Sequence, residues 1–245
     1  MKYAKSSEAW LDTSRGQAVL SAEKVQLDHA MTTLFGRSVL QIGGWGGSLL
    51  TPAPHWRSGV LGPARNVDVR CELSALPLAG NSVDAVLLAH SLESAPSAHS
   101  LLREVDRALS ARGQLLILGF NPYSVWGLWQ WLVRRYPALP QGTRPLRSGR
   151  IQDWLRLLDY EVVACQRFGP TRQPPRWLRQ PLRWLRPVTG WFAPVYLIRA
   201  RKRRIPANMV RRPVWQRSAV AGMDGVATRS SARVVVPLSP PGSTR

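Results

Sequence analysis

Cysteine is nearly absent from this chain. Its two copies, Cys71 and Cys165, lie far apart, form no C-x-x-C pair and have no histidine at ligand spacing, so neither a disulfide framework nor a metal site is expected. Both read as plain buried thiols in a reducing compartment. Long apolar runs are missing too: no stretch approaches the roughly 18 residues of a membrane span, and "MKYAKSSEAWLDTSRGQ" at the N-terminus has no apolar core of signal-peptide length. A cytoplasmic protein is therefore expected. Acidic residues are scarce, 14 against 34 lysines and arginines, which gives a formal net charge of +20. The scarcity is local. Residues 1–133 carry 11 cations and 10 acids, whereas residues 134–217 carry 20 and 3.

The second-half cations are almost all arginines, interleaved with tryptophan and proline as in "RQPPRWLRQPLRWLRPVTGW". The ordinary meaning of a charge run is a solvated face. Arginine beside exposed aromatic rings also suits a polyanion, so residues 134–217 are a candidate surface for nucleic acid or an anionic membrane. A chain of 245 residues holds one domain with tails. We expect a domain over 1–205 with its core at 34–120, a Trp/Pro/Arg-rich insertion at about 170–192, and a disordered basic tail over 206–245.

"SVLQIGGWGGS", Ser38 to Ser48, is an apolar run that ends in four glycines interrupted by Trp45. Bare backbone after a strand lets a helix start abruptly or a ligand approach the main chain closely. Read as a dinucleotide fingerprint the loop fails, because Leu49 stands where the last glycine of G-x-G-x-x-G belongs. Upstream, Leu20, Lys24, Leu27, Met31 and Leu34 recur at helical spacing, with Gly36 placed as a stop. "VDAVLLAHS", "GQLLILGF", "EVVACQRF" and "PVYLIRARKR" read as strands, and "HSLLREVDRALS" and "IQDWLRLLDY" as helices. The alternation of strand and helix predicts an α/β fold with a mostly parallel sheet, its last two strands free to pair antiparallel. In such a sheet ligands lie beyond the carboxyl ends of the strands, on the loops after Ile42, Leu88 and Leu118.

The stretch "VRCELSALPLAGNSVDAVLLAHSLESAPSAHSLLREVDRALSARGQLLILGFNP" resembles the second half of a class I S-adenosylmethionine-dependent methyltransferase of the type 11 domain kind. Glu72, Leu76-Pro77, Asp84, Leu101 to Leu109 and Gly113 to Ile117 fall into the family's order. "LFGRSVLQIGGWG", "GFNPYSVWGLW", "RIQDWLRLLDYEVV" and "VYLIRARKR" extend the likeness to an uncharacterised bacterial branch with a degenerate cofactor loop.

The resemblance implies a Rossmann-like sheet and S-adenosyl-L-methionine as cofactor, with methyl transfer to an unidentified acceptor. Gly43, Gly44 and Gly46 would lie under the methionyl part. Gln41 stands where the family has a carboxylate at the end of the first strand. Glu72 would accept from the adenine amino group and Leu73 would flank the ring. His90, as catalytic base, and Glu93 would border the acceptor, with Asn121 in a turn lining the same pocket. The ordinary alternatives are a solvated turn for Glu72 and a satisfied polar strand end for His90. Trp45 replaces a customary glycine, and Gly47 to Glu72 is too short for a helix, strand and helix. The rival class is a non-catalytic methyltransferase fold serving as a basic nucleic-acid-binding or membrane-surface module.

Overall fold

A computed structural model describes residues 2–51, 53–124, 139–140, 142–170 and 193–203. The expected insertion at 170–192, the tail at 206–245 and much of the basic stretch 134–217, including Arg176, Arg179, Arg183 and Arg186, lie outside the described residues.

Two helices open the chain, α1 (Lys2–Leu11) and α2 (Ser14–Met31). Only the second is announced by sequence periodicity. The break between them is steric: the Thr13 side chain caps α2 by accepting from Gly16 N, and a Cβ on Gly16 would come within 2.3 Å of Trp10 O. Seven strands follow, β1 (Ser38–Ile42), β2 (Arg57–Gly62), β3 (Val69–Arg70), β4 (Val83–Ala89), β5 (Leu109–Phe120), β6 (Tyr160–Phe168) and β7 (Val195–Lys202). The helices α3 (Ser91–Ser94), α4 (Ala98–Ala108) and α5 (Ser148–Leu157) lie between them.

The sheet order is β3-β2-β1-β4-β5-β7-β6. All pairings are parallel except those of β7, which runs antiparallel to both β5 and β6. Strand side chains alternate between two cores, as a period of two requires. Ala85, Leu87, Leu116, Leu118 and Phe120 join α1 and α2 on one face, while Val86, Leu88, Leu115 and Ile117 join α4 and α5 on the other. Strands are added toward one edge from β1 to β3 and toward the other from β4, so the gap between β1 and β4 is the topological switch point, where ligands of such sheets lie.

Two expectations for α2 are corrected. Its buried stripe is Gly16, Val19, Glu23, Leu27, Ala30 and Met31, so the inward face is rotated by one residue from the Leu20–Lys24 reading. Glu23 points inward and Lys24 outward. Gly36 does not stop the helix, which ends at Met31. It fits instead beneath Asp84, whose carboxylate accepts from Arg37 N at 2.8 Å and Ser38 N at 3.1 Å and so fixes the start of β1. The short span between Gly47 and Glu72 takes the form the count demands: β2 and β3 with no helix between β1 and β3.

Candidate functional site

The loop after β1 is closed on itself by Gln41. Its Nε2 donates to Gly43 O at 2.9 Å and Gly47 O at 2.7 Å, and its Oε1 accepts from Leu49 N at 2.7 Å. The side chain is fully buried, so it holds the loop rather than offering a hydrogen bond to a methionyl group, as the resemblance implied. Exchanging it for the family's carboxylate would face two carbonyl oxygens with an acceptor. Gln41→Glu is accordingly expected to cost about 2 kcal/mol or more, read from urea denaturation at pH 7. A variant as stable as the parent would show that the amide orientation is not what closes the loop.

The glycines serve different contacts. Gly43, at φ +101°, could carry no Cβ without meeting Ala89 O at 2.8 Å, and Gly46, at φ +63°, packs against the Leu20 side chain. Both are therefore required by protein packing as well as by any ligand. Gly44 abuts Ala64 and Asn66. Gly43 and Gly44 also line a small cleft of about 30 Å³ together with Ala64, Leu73, Ala89 and Glu8. Leu73 lines that cleft, whereas Glu72 is exposed and accepts from the Ser74 hydroxyl at 3.2 Å.

His90 and Glu93 do not border an open pocket. His90 caps α3 in the left-handed region (φ 52°) and its ring is completely enclosed. Its Nε2 lies 2.9 Å from Glu23 Oε1 and its Nδ1 lies 3.0 Å from Glu93 Oε2. Glu23 accepts in addition from Trp45 Nε1 at 2.8 Å, and Glu93 from Phe120 N at 2.5 Å. The result is one continuous chain of hydrogen bonds, Trp45 to Glu23 to His90 to Glu93 to Phe120. It ties α2, the glycine loop, the end of β4 and the end of β5 together in the dry interior.

Aromatic rings enclose the chain. Trp45 sits 4.4 Å from the His90 ring and Phe120 4.2 Å from it, centroid to centroid, with Trp10 at 5.7 Å from Trp45. Burial alone would push the His90 pKa down, but the two carboxylates outweigh it and raise it to about 9. Burial is also the main cause that raises Glu93, only partly offset by its bond to His90. His90 is thus an imidazolium at neutral pH, which leaves it no lone pair to act as a base. The two carboxylates grip opposite nitrogens and converge on no common point, and among the described residues no cluster of His, Cys, Asp and Glu can hold a metal ion.

Sequence reasoning missed Glu23. The signal was present: it lies four residues from both Val19 and Leu27, a charge on the apolar stripe of α2, which demands a buried partner. Asn121 lies in a turn, its Nδ2 donating to Ala193 O at 3.0 Å and its Oδ1 accepting from Tyr123 N at 3.1 Å, and it lines a cleft that neither His90 nor Glu93 lines. Cys71 and Cys165 are free and only partly buried. Among the described residues no helix is long and apolar enough to cross a membrane.

A seven-stranded sheet of this order, with its cleft at the β1/β4 switch, defines the class I methyltransferase fold. Residues 58–117 match the methyltransferase domain family. The chain has that fold and belongs to the family of the uncharacterised protein YafS of Escherichia coli (strain K12). It is 32% identical to YafS over 204 residues, which cover 82% of this chain and 83% of that one. Solved structures agree on the fold. An S-adenosylmethionine-dependent methyltransferase of Thermotoga maritima shares 15% identity at a TM-score of 0.57, covering 82% of this chain and 96% of that one. The complex between the Haloferax volcanii Trm112 methyltransferase activator and a methyltransferase supplies another match, with 14% identity, a TM-score of 0.60 and coverage of 83% and 98%.

Proposed function

We propose that the protein binds S-adenosylmethionine in the cleft beyond β1 and β4 and transfers its methyl group to an acceptor. The observation that carries this reading is the lining of that cleft: the backbone of Gly43 and Gly44, the small side chains of Ala64 and Ala89, and the apolar Leu73, with Ser7, Glu8 and Ser94 as the polar members. Such a lining fits a nucleoside with its amino-acid arm. Gly43 and Gly44 would lie against the arm, Leu73 against the base, and Glu8 of α1 is the carboxylate among the cleft's lining residues, while β2 ends in Gly62.

At about 30 Å³ the cleft is far narrower than the several hundred Å³ a small-molecule site encloses. Entry of a nucleoside therefore requires α1, which closes the cleft through Ser7 and Glu8, to swing away. The cofactor, when bound, brings a sulfonium that is already an activated leaving group. What the protein adds is alignment and exclusion of water, and a dry shell beneath the loop serves both. The His90 chain belongs to this positioning part, because it sets the ends of β4 and β5 against the loop.

Calorimetric titration of the full chain with S-adenosylmethionine is expected to give saturable binding, weakened about fivefold or more by Leu73→Ala, which removes the flank of the base. Absence of heat and of any thermal shift at millimolar cofactor would overturn the proposal. It would leave the second reading, a non-catalytic descendant of the fold, which the burial of Gln41 and Trp45 favours. The basic stretch 134–217 is proposed to meet a polyanion, nucleic acid ahead of a membrane surface, on the strength of its arginine and tryptophan content.

A further inference from the structure

A second, larger cleft of about 760 Å³ opens beyond the ends of β5 and β6, lined by Asn121, Tyr123, Arg147, Arg150, Asp153 and Arg167 among others. It shares no lining residue with the glycine-loop cleft. Its charge is uneven: three guanidinium groups face one carboxylate, and that carboxylate, Asp153, pairs with Arg156 at 3.3 Å. Among the described residues neither Arg147 nor Arg150 forms an ion pair. Each is held by an aromatic ring instead. Arg147 lies 4.9 Å from the centroid of Tyr123, and Arg150 lies 5.1 Å from that of Trp154.

A guanidinium held over a ring by cation–π attraction keeps its N–H donors for other partners, and arginine uses them to grip phosphate bidentately. Arg167 is steadied from the other wall, donating to Ser148 Oγ at 3.2 Å. The amides of the first turn of α5 add to the same side: Arg147 supplies no side-chain cap there, and nothing lies within 4 Å of the Cβ position of Gly149. Tyr123 is 54% exposed although Arg147 lies over its ring.

We propose that this cleft is a binding site for a phosphate-bearing small molecule, with the phosphate on Arg147 and Arg167 and the organic part against Tyr123. The volume favours a small molecule, since it falls within the range of such pockets, whereas a nucleic acid or a membrane needs an extended track. The site stands apart from the cofactor cleft and does not depend on cofactor binding.

Phosphorus NMR titration of the full chain with phenyl phosphate and with inorganic phosphate at 0.15 M salt, roughly one Debye length of 8 Å, tests it. Arg147→Gln/Arg167→Gln should weaken both ligands at least tenfold. The charge-matched Arg57→Gln/Arg70→Gln, exposed at the opposite edge of the sheet, should change them less than twofold. Tyr123→Ala should weaken phenyl phosphate at least threefold and spare inorganic phosphate, which keeps the proposal decidable if the double variant fails to fold. Equal weakening by both arginine pairs would reduce the site to diffuse charge and overturn it. So would failure of phenyl phosphate to bind at millimolar concentration while a single-stranded oligonucleotide or phosphatidylglycerol vesicles bind.

Discussion

His90→Leu is expected to remove about 3 to 5 kcal/mol of folding stability, because the leucine would leave Glu23 and Glu93 buried with no cation between them. Urea denaturation at pH 7 measures it. A loss below about 1 kcal/mol would refute the buried-imidazolium reading. The same cluster predicts a pH dependence whose sign follows from its pKa. The folded value of about 9 lies above the roughly 6.5 of an unfolded histidine, so the stabilisation is complete below about pH 6.5 and is lost as pH rises through 9. Glu93, raised chiefly by burial, acts in the same direction. The parent should therefore lose on the order of 2 to 3 kcal/mol between those limits. A parent curve that stays level from pH 6.5 to 9 would contradict the assignment.

Trp45→Ala is expected to have a comparable effect, about 3 to 5 kcal/mol, since it empties the space between Trp10, His90 and Phe120 and deprives Glu23 of its indole donor. A double-mutant cycle with Glu23→Gln separates the two contributions: the coupling should reach at least about 0.5 kcal/mol. Strict additivity would mean that the indole acts by filling volume alone. The tryptophan that interrupts the glycines is thus an anchor. Its ring ties the loop to the carboxylate of α2, where the family's glycine would leave the loop to be shaped by backbone alone.

The strands β1, β4, β5, β6 and β7 were legible as apolar runs, and α4 and α5 as amphipathic periods, because both patterns answer to local geometry. The antiparallel placement of the last strands followed from the lack of a helix pattern between them. The helix α1 was hidden, since no clean apolar stripe marks it, and β2 and β3 were hidden because one is half exposed and the other only two residues long. Gln41, His90 and Glu93 were read as facing a ligand and are found with protein partners, because residue type says what a side chain can bond to and not which partner reaches it.

By itself the sequence determined the α/β class, the bare loop at a strand end, the missing carboxylate at the end of β1, and the concentration of charge in the second half. These are properties of composition and spacing, which survive in any conformation of the chain. Only the tertiary structure decided what the polar residues do. Glu23 and His90 are 67 residues apart, and whether they meet depends on the packing of α2 against the end of β4. That packing excludes water, and in a dry interior an ion is tolerated only beside its counter-ion. A histidine that reads as a base in the sequence becomes, once enclosed between two carboxylates, a fixed cation that holds the loop in place.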